Sequence, residues 1–189
     1  GAPDGTKWGY DIGNGSNGWG NNEAEYYTNR TDNAVVENGI LKITAKKESY
    51  QGYNYTSARM LTKGKYAFTY GRVEARAKLP SGVGTWPAIW MLGSNIETVS
   101  WPGCGEIDIM EHLGRELNKI YGTLHYPGHF GGSADGKTKM ISNATSEFHI
   151  YSLEWDAQFV KIFVDGELIH SVVNSAAIPF NHDFFIILN

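Results

Sequence analysis

The segment GRVEARAKL, residues 71–79, alternates apolar and charged side chains without interruption. The apolar positions are Val73, Ala75, Ala77 and Leu79, and the charged ones are Arg72, Glu74, Arg76 and Lys78. Because successive side chains of a β-strand point to opposite faces, this pattern predicts a strand with one face in a core and the other in water.

Further strands are predicted along the chain from this segment. ILKITA (40–45), FHIYSLEWD (148–156) and FVKIFV (159–164) are β-type runs bounded by turn residues. Asp165-Gly166 joins the last of them to ELIHSVV, and an Asp-Gly pair between two such runs is a strong signal for a hairpin. No segment sustains the 3.6-residue period of a helix. We therefore predict an all-β fold, either a sandwich or a barrel.

Length and charge limit the possible functions. The 189 residues fit one domain, and the net charge of −4 without a basic run disfavours nucleic acid or an anionic membrane as a partner. No apolar stretch reaches the roughly 20 residues that span a bilayer. The single cysteine excludes an internal disulfide. GAPDGTKWGYD (1–11) and DFFIILN (183–189) look like unfinished ends, so we expect residues 1–189 to be one domain that lacks terminal strands at both ends.

The segment GEIDIMEH, residues 105–112, places Glu106, Asp108 and Glu111 among apolar residues. A regular strand would turn Glu111 away from the other two, whereas a β-bulge with Met110 as the additional residue would return it to their face. Spacing alone leaves a catalytic group, a metal site and a solvated edge strand open. A metal is disfavoured, because calcium takes six to eight oxygen ligands and only His112 is near.

The longer segment GTWPAIWMLGSNIETVSWPGCGEIDIMEHLG (84–114) resembles glycoside hydrolase family 16. Its E-I-D-I-M-E order, with a Met before the second Glu, is similar to the laminarinase branch, the endo-1,3-β-glucanases. The resemblance continues in WGNNEAEYYT (19–28), ENGILKITA (37–45), YTSARMLTKGKYAFTYGRVEARAKLP (55–80), GTLHYPG (122–128) and FHIYSLEWD (148–156). It implies a β-jelly-roll sandwich of two antiparallel sheets with a substrate groove across the concave face.

The resemblance also implies the chemistry of the three carboxylates. Glu106 matches the nucleophile, Glu111 the acid/base and Asp108 the residue between them. A retaining glycosidase uses such a pair in a double displacement, with a glycosyl ester on the nucleophile and water activated by the acid/base. The reaction needs no cofactor.

Several residues match sugar-binding positions of the family. A lone Trp or His is more often part of a core than of a site. The resemblance nevertheless implies that Trp90 and Trp101 line the groove, and Trp86 is a further candidate. It places His125 beside the acid/base, and it matches Arg59 and Asn29 to positions that bind sugar hydroxyls.

The resemblance also bears on a structural calcium site. Many family members hold a calcium ion on the convex side, and Gly39 in ENGIL matches the position of one backbone-carbonyl ligand. The terminal ligands of that site fall outside this chain, so the resemblance implies calcium only for a complete domain.

The predicted function is hydrolysis of internal β-1,3 bonds in laminarin-type glucans, with mixed-linkage β-1,3-1,4-glucan as an additional substrate. Two alternatives remain: a related hydrolase of a marine galactan such as agar or carrageenan, and a non-catalytic carbohydrate-binding jelly roll. Trp101 and the WPGCG lead-in favour a glucan, and three intact carboxylates favour catalysis. We expect a monomeric, secreted or cell-surface protein with β-glucan as its only partner.

Overall fold

The computed structural model describes residues Gly1–Asn189 and consists mainly of short β-strands. Residues group into two compact units. One contains Gly1–Tyr66 together with Ile187–Asn189, and the other contains Ala67–Ile186.

The first unit contains seven strands in three small groups. They are β1 (Gly9–Asp11), β2 (Tyr26–Tyr27), β3 (Ala34–Glu37), β4 (Ile40–Ile43), β5 (Lys46–Tyr50), β6 (Tyr53–Ser57) and β7 (Arg59–Leu61). β1 pairs with β7, β3 pairs with β4, and β2, β6 and β5 form a three-stranded sheet. Ile187 and Leu188 add to this unit by pairing with Leu61 and Met60. Ala34, Ala58 and Met60 are buried at the centre of its apolar cluster.

The second unit contains the remaining strands, one short α-helix and a 3-10 helix (Gly131–Ser133). They are β8 (Gly71–Ala77), β9 (Ala88–Gly93), α1 (Ile96–Val99), β10 (Glu106–His112), β11 (Lys119–His125), β12 (Asp135–Met140), β13 (His149–Trp155), β14 (Phe159–Val164), β15 (Glu167–Val173) and β16 (Phe184–Leu188), whose last two residues belong to the first unit.

Two sheets pack against each other in the second unit. One has the order β16-β9-β10-β11-β12 and the other the order β15-β14-β13-β8. The side chains between them are fully buried, among them Ile107, Leu124 and Leu153. The sheets approach closely at Gly122 of β11, where a Cβ atom would lie only 2.9 Å from Cγ2 of Ile162 on β14. Apolar contact between the two sheets therefore supports β10 from behind.

The strand predictions are confirmed. β8 buries its apolar positions at least in part and exposes its charged ones. Asp165 and Gly166 have φ values of 50° and 78°, as a two-residue type I′ hairpin turn requires, and they join β14 to β15. An all-β fold whose strands pair antiparallel except for β2 with β6, the jelly-roll sandwich implied by the resemblance, is thus the observed class. No helix is long and apolar enough to cross a membrane.

Candidate active site

β10 carries the three carboxylates in the middle of its sheet, between β9 and β11. Ile107 and Ile109 point into the core and are completely buried. Asp108 lies opposite Thr123 on β11 while Glu111 lies opposite Tyr121, so three steps along β10 correspond to two along β11. This extra residue is a β-bulge, which confirms the predicted irregularity and accounts for Glu111 sharing the face of Glu106.

The bulge differs from the prediction in one detail. On the β9 side, Asp108 pairs with Trp90 and Met110 pairs with Ile89. Ile109 is therefore the residue without a partner on β9, rather than Met110. Both side chains are buried, because the apolar core behind the sheet accepts two successive apolar residues at the irregularity.

Glu106 and Glu111 each accept a hydrogen bond from the indole of an exposed Trp. Nε1 of Trp101 donates to Oε2 of Glu106 at 2.8 Å, and Nε1 of Trp86 donates to Oε1 of Glu111 at 2.9 Å. Trp101 is 43% exposed and Trp86 is 41% exposed, so neither is a core residue. Each ring therefore leaves apolar surface open beside a carboxylate, as contact with the C–H face of a sugar requires. Trp90 is half-buried on β9, beside Asp108.

His125 lies on β11 directly opposite Glu106. Its Nε2 is 3.2 Å from Oδ2 of Asp108 and 3.9 Å from Oε1 of Glu106. The resemblance implied a place beside the acid/base Glu111. The observed contacts are with the other two carboxylates.

Burial raises the pKa of all three carboxyl groups. For Glu106 desolvation is the main cause and the charge of Asp108 adds to it, so its pKa lies well above the usual range. Asp108 is only 3% exposed, and its pKa is likewise raised well above normal by desolvation and by the charge of Glu111. Desolvation also raises the pKa of Glu111, while hydrogen bonds from Trp86 and Thr123 oppose the shift. Such a site holds protons at pH values where free carboxyls have lost them.

The direction of the hydrogen bonds indicates where one of these protons lies. The N–H of Gly131 donates to Nδ1 of His125 at 3.2 Å, so in the neutral ring the proton is on Nε2, facing Asp108. The hydrogen-bond interaction between Asp108 and Glu106 raises the pKa of Glu106 and lowers that of Asp108, which favours a shared proton on Glu106 in the free site. Nucleophilic attack by Glu106 requires the opposite placement, with the proton on Asp108 and Glu106 ionised.

Donor atoms of Glu106, Asp108 and His125 lie within 4.8 Å of one another, the only such cluster of three acidic, His or Cys ligands in the chain. The Gly39 carbonyl lies elsewhere, in the exposed turn between β3 and β4, with φ of 76°. No cluster of side-chain ligands accompanies it. Calcium ligation by Gly39 therefore stays a prediction, and the side chains of this chain do not supply a site there.

Arg59 and Asn29 belong to the first unit. Arg59 is buried, with Nε 3.0 Å from Oδ2 of Asp11 and its guanidinium 4.3 Å from the centre of the Trp19 ring. It is thus held from two sides rather than being a surface ion pair. Asn29 is exposed after β2. Their contacts with sugar hydroxyls stay predictions.

Sequence reasoning missed the segment between β11 and β12. There Gly131 contacts His125, and the ring of Phe130 lies 5.5 Å from that of Trp101 in an edge-to-face arrangement. The available signal was a lone aromatic residue in the glycine-rich stretch GHFGGS (128–133).

The chain is similar to proteins of known family and structure. Residues 21–184 match the family described as glycosyl hydrolases family 16. A β-glucanase of Rhodothermus marinus is 43% identical over 203 aligned positions, which cover 100% of this chain and 70% of the relative. The X-ray structure of the laminarinase from Rhodothermus marinus superposes with a TM-score of 0.95 at 42% identity, covering 100% of this chain and 80% of that one. The laminarinase catalytic domain of Thermotoga maritima gives a TM-score of 0.93 at 47% identity, covering 100% and 82%.

Proposed function

Because the chain belongs to glycosyl hydrolases family 16, we propose that its groove hydrolyses internal β-1,3-glucosidic bonds of laminarin-type glucans with retention of configuration. One observation carries the proposal: the bulge in β10 brings Glu106 and Glu111 to one face, with Asp108 between them. Trp101 donates a hydrogen bond to Glu106 and Trp86 donates one to Glu111, so each carboxyl group has its own donor.

In the first step, ionised Glu106 attacks the anomeric carbon while Glu111 gives its proton to the glycosidic oxygen. The bond to the leaving sugar breaks and a glycosyl ester forms on Glu106. The raised pKa of Glu111 suits this step, because a general acid must still hold its proton at working pH.

In the second step, ionised Glu111 takes a proton from water, whose oxygen attacks the same carbon and releases Glu106. Two inversions at one carbon give net retention. Asp108 positions Glu106 through their shared hydrogen bond, and His125 in turn contacts Asp108. These four residues account for every proton that the reaction moves, so no cofactor is needed.

The substrate class follows from the groove and from the relatives. Trp86 and Trp101 offer flat apolar surfaces, which suit the equatorial substitution of glucose units. The proteins that this chain resembles include a β-glucanase and two laminarinases. Mixed-linkage glucan is a second substrate to test in the same assay.

The test is release of reducing sugar from laminarin, mixed-linkage β-glucan and agarose. We expect activity on laminarin, and loss of more than about a thousandfold in Glu106→Ser, because the covalent route disappears with the nucleophile. Glu154→Ser is the matched control, since Glu154 is exposed on β13 of the other sheet. Laminarin hydrolysis by Glu106→Ser at more than a thousandth of the wild-type rate would contradict the assignment.

The assay also separates the two alternatives. Cleavage of agarose without cleavage of laminarin would indicate a galactan hydrolase. Binding of laminarin without cleavage of any of the three polymers would indicate a carbohydrate-binding jelly roll. A binding protein gains nothing from buried carboxyls whose pKa values are raised at a cost in stability, and this disfavours the second alternative.

We also propose that the protein acts as a monomer outside the cell or at its surface, because a polysaccharide substrate is found there. Light scattering of the purified protein tests the monomer, and fractionation of the producing cells tests the location.

A further inference from the structure

Residues Tyr126–Ala134 connect β11 to β12, and we call them the Phe130 arm. The base of the arm is tied down from two sides. The hydroxyl of Tyr126 donates to Oδ2 of Asp135 at 2.9 Å, and Nε2 of His170 on β15 lies 2.9 Å from Oδ1 of the same carboxylate. Because His170 is buried and belongs to the opposite sheet, the arm begins and ends on a fixed support.

The arm is also ordered within itself. The backbone N–H and C=O groups of Tyr126 pair with those of His129, both at 2.8 Å, and their rings lie 4.8 Å apart. Beyond this turn, the carbonyl of Phe130 accepts from both the N–H and the hydroxyl of Ser133, each at 3.1 Å. The backbone at Phe130 is therefore held on both sides, and its side chain has a defined direction.

That direction is toward Trp101. Phe130 lies edge-to-face against Trp101, the ring that donates to Glu106. The next residue, Gly131, donates its N–H to His125, which contacts Asp108. Two successive residues of the arm thus touch two different members of the site.

Phe130 nevertheless remains 42% exposed. Together with Trp101 it forms continuous exposed apolar surface beside the nucleophile, and such surface next to a polar site is characteristic of a ligand-binding region. A phenyl ring has no polar edge, so only an apolar ligand surface benefits from contact with it. On a glucan, the C–H face of a pyranose ring provides that surface.

We propose that Phe130 is a further substrate-contacting residue, which packs against the glucose unit next to the one that Trp101 contacts. The inference rests on the proposed function. It extends the sugar-binding surface beyond the indoles around the carboxylates and assigns the Phe130 arm the task of presenting this ring.

The competing explanation is that Phe130 only supports Trp101. The two roles predict different dependence on substrate length. A supporting residue would affect every ligand that reaches Trp101, whereas a contact with the neighbouring unit affects only oligosaccharides long enough to occupy that position.

The experiment measures binding by calorimetry in the inactive Glu106→Ser protein, with β-1,3-linked glucose oligosaccharides of two to six units. Phe130→Ala is compared with Phe130→Trp, which keeps a flat ring, and with Phe130→Leu, which keeps apolar volume without one. Val173→Ala is the control, because Val173 is a more exposed apolar residue on β15 of the other sheet. Melting temperatures are measured for all variants.

We expect Phe130→Ala and Phe130→Leu to weaken binding of the longest oligosaccharide by roughly 3- to 10-fold and that of the shortest by less than about 2-fold. Phe130→Trp and Val173→Ala should bind as the parent does. Equal loss at every length, or unchanged affinity at all lengths, would overturn the proposal. Failure of the Glu106→Ser parent to bind any oligosaccharide would instead contradict the proposed function itself.

Discussion

Glu106 and Glu111 have the same chemical group and different neighbours. Glu106 shares a proton with Asp108 and accepts from Trp101, whereas Glu111 accepts from Trp86 and Thr123. Hydrogen bonds to a carboxylate stabilise its ionised form, and burial has the opposite effect. In the proposed mechanism, the division of labour between Glu106 and Glu111 therefore depends on which hydrogen-bond donors each residue has.

The Trp86 donor allows a test at this scale. Trp86→Phe removes an N–H that stabilises ionised Glu111, so the already raised pKa of Glu111 should rise further. The alkaline limb of kcat/KM, where the general acid loses its proton, should then move to higher pH. Measurement of the pH–rate profile on laminarin checks this, and the position of the limb is independent of any loss in binding. A limb that moves to lower pH would contradict the assignment of Glu111.

Asp108→Asn tests the placement of the shared proton. A carboxyl whose folded-state pKa is raised stabilises the fold only while protonated, and this stability is lost as pH rises from about 4, its unfolded value, through the raised pKa. A neutral amide avoids the loss. We expect Asp108→Asn to melt a few degrees higher than wild type at pH 7, with the difference vanishing near pH 3–4.

The same variant has a kinetic readout. An Asn amide can donate to Glu106 and accept from His125, as protonated Asp108 does, so Asp108→Asn should retain clearly more activity than Asp108→Ala. Equal activity of the two variants would contradict a proton on Asp108 in the reacting site.

At the scale of the element, β10 serves two purposes on its two faces. Ile107 and Ile109 fill the core, and the carboxylates lie on the opposite face of the strand. Glu106 and Glu111 lie opposite His125 and Tyr121, so five residues of β10 cover the length of four on β11, about 13 Å of strand. The two long side chains must lean together to act on one bond. We predict that a crystal structure will show their carboxyl groups about 5–6 Å apart, as retention requires.

A matched pair of length variants tests the bulge. Deletion of Met110 leaves EIDIEH, in which plain alternation still turns both Glu side chains to the groove, so this variant should fold and keep part of its activity. Insertion of one Ala after Met110 shifts Glu111 into the core, where an unpaired carboxylate is costly. We expect the insertion variant to lose activity by more than about a thousandfold and to melt at lower temperature. Comparable activity in the two variants would contradict this account.

Sequence predicted the periodic elements and the need for an irregularity. The alternation in β8 and the Asp165-Gly166 turn are local, and the bulge follows from the odd spacing of Glu106 and Glu111. The contacts between side chains of different strands were harder to predict from the sequence. That His125 contacts Asp108 depends on register, and that Phe130 reaches Trp101 depends on the arm between two strands. No periodic pattern encodes such contacts.

At the scale of the whole molecule, the second unit supplies the three carboxylates and His125 from one sheet and uses the other sheet as its support. The close approach at Gly122 and the buried His170 both join the two sheets beside the strands that carry the site. On these strands, the side chains of one face pack in the core and those of the other face form the site.

The central position of β10 has a consequence for how the protein loses its structure. Its backbone is hydrogen-bonded to neighbours on both edges and covered by the other sheet, so its amide protons should exchange with deuterium only when the whole second unit opens. Many binding sites lie on segments that unfold locally before the rest of the protein, whereas this site should stay folded until the whole second unit opens. In increasing denaturant, exchange of the peptide 105–112, measured by mass spectrometry, should follow the same transition as loss of laminarin hydrolysis. Exchange of that peptide at lower denaturant concentration than peptides from β13 and β14 would contradict this expectation, because β10 would then open before the other sheet.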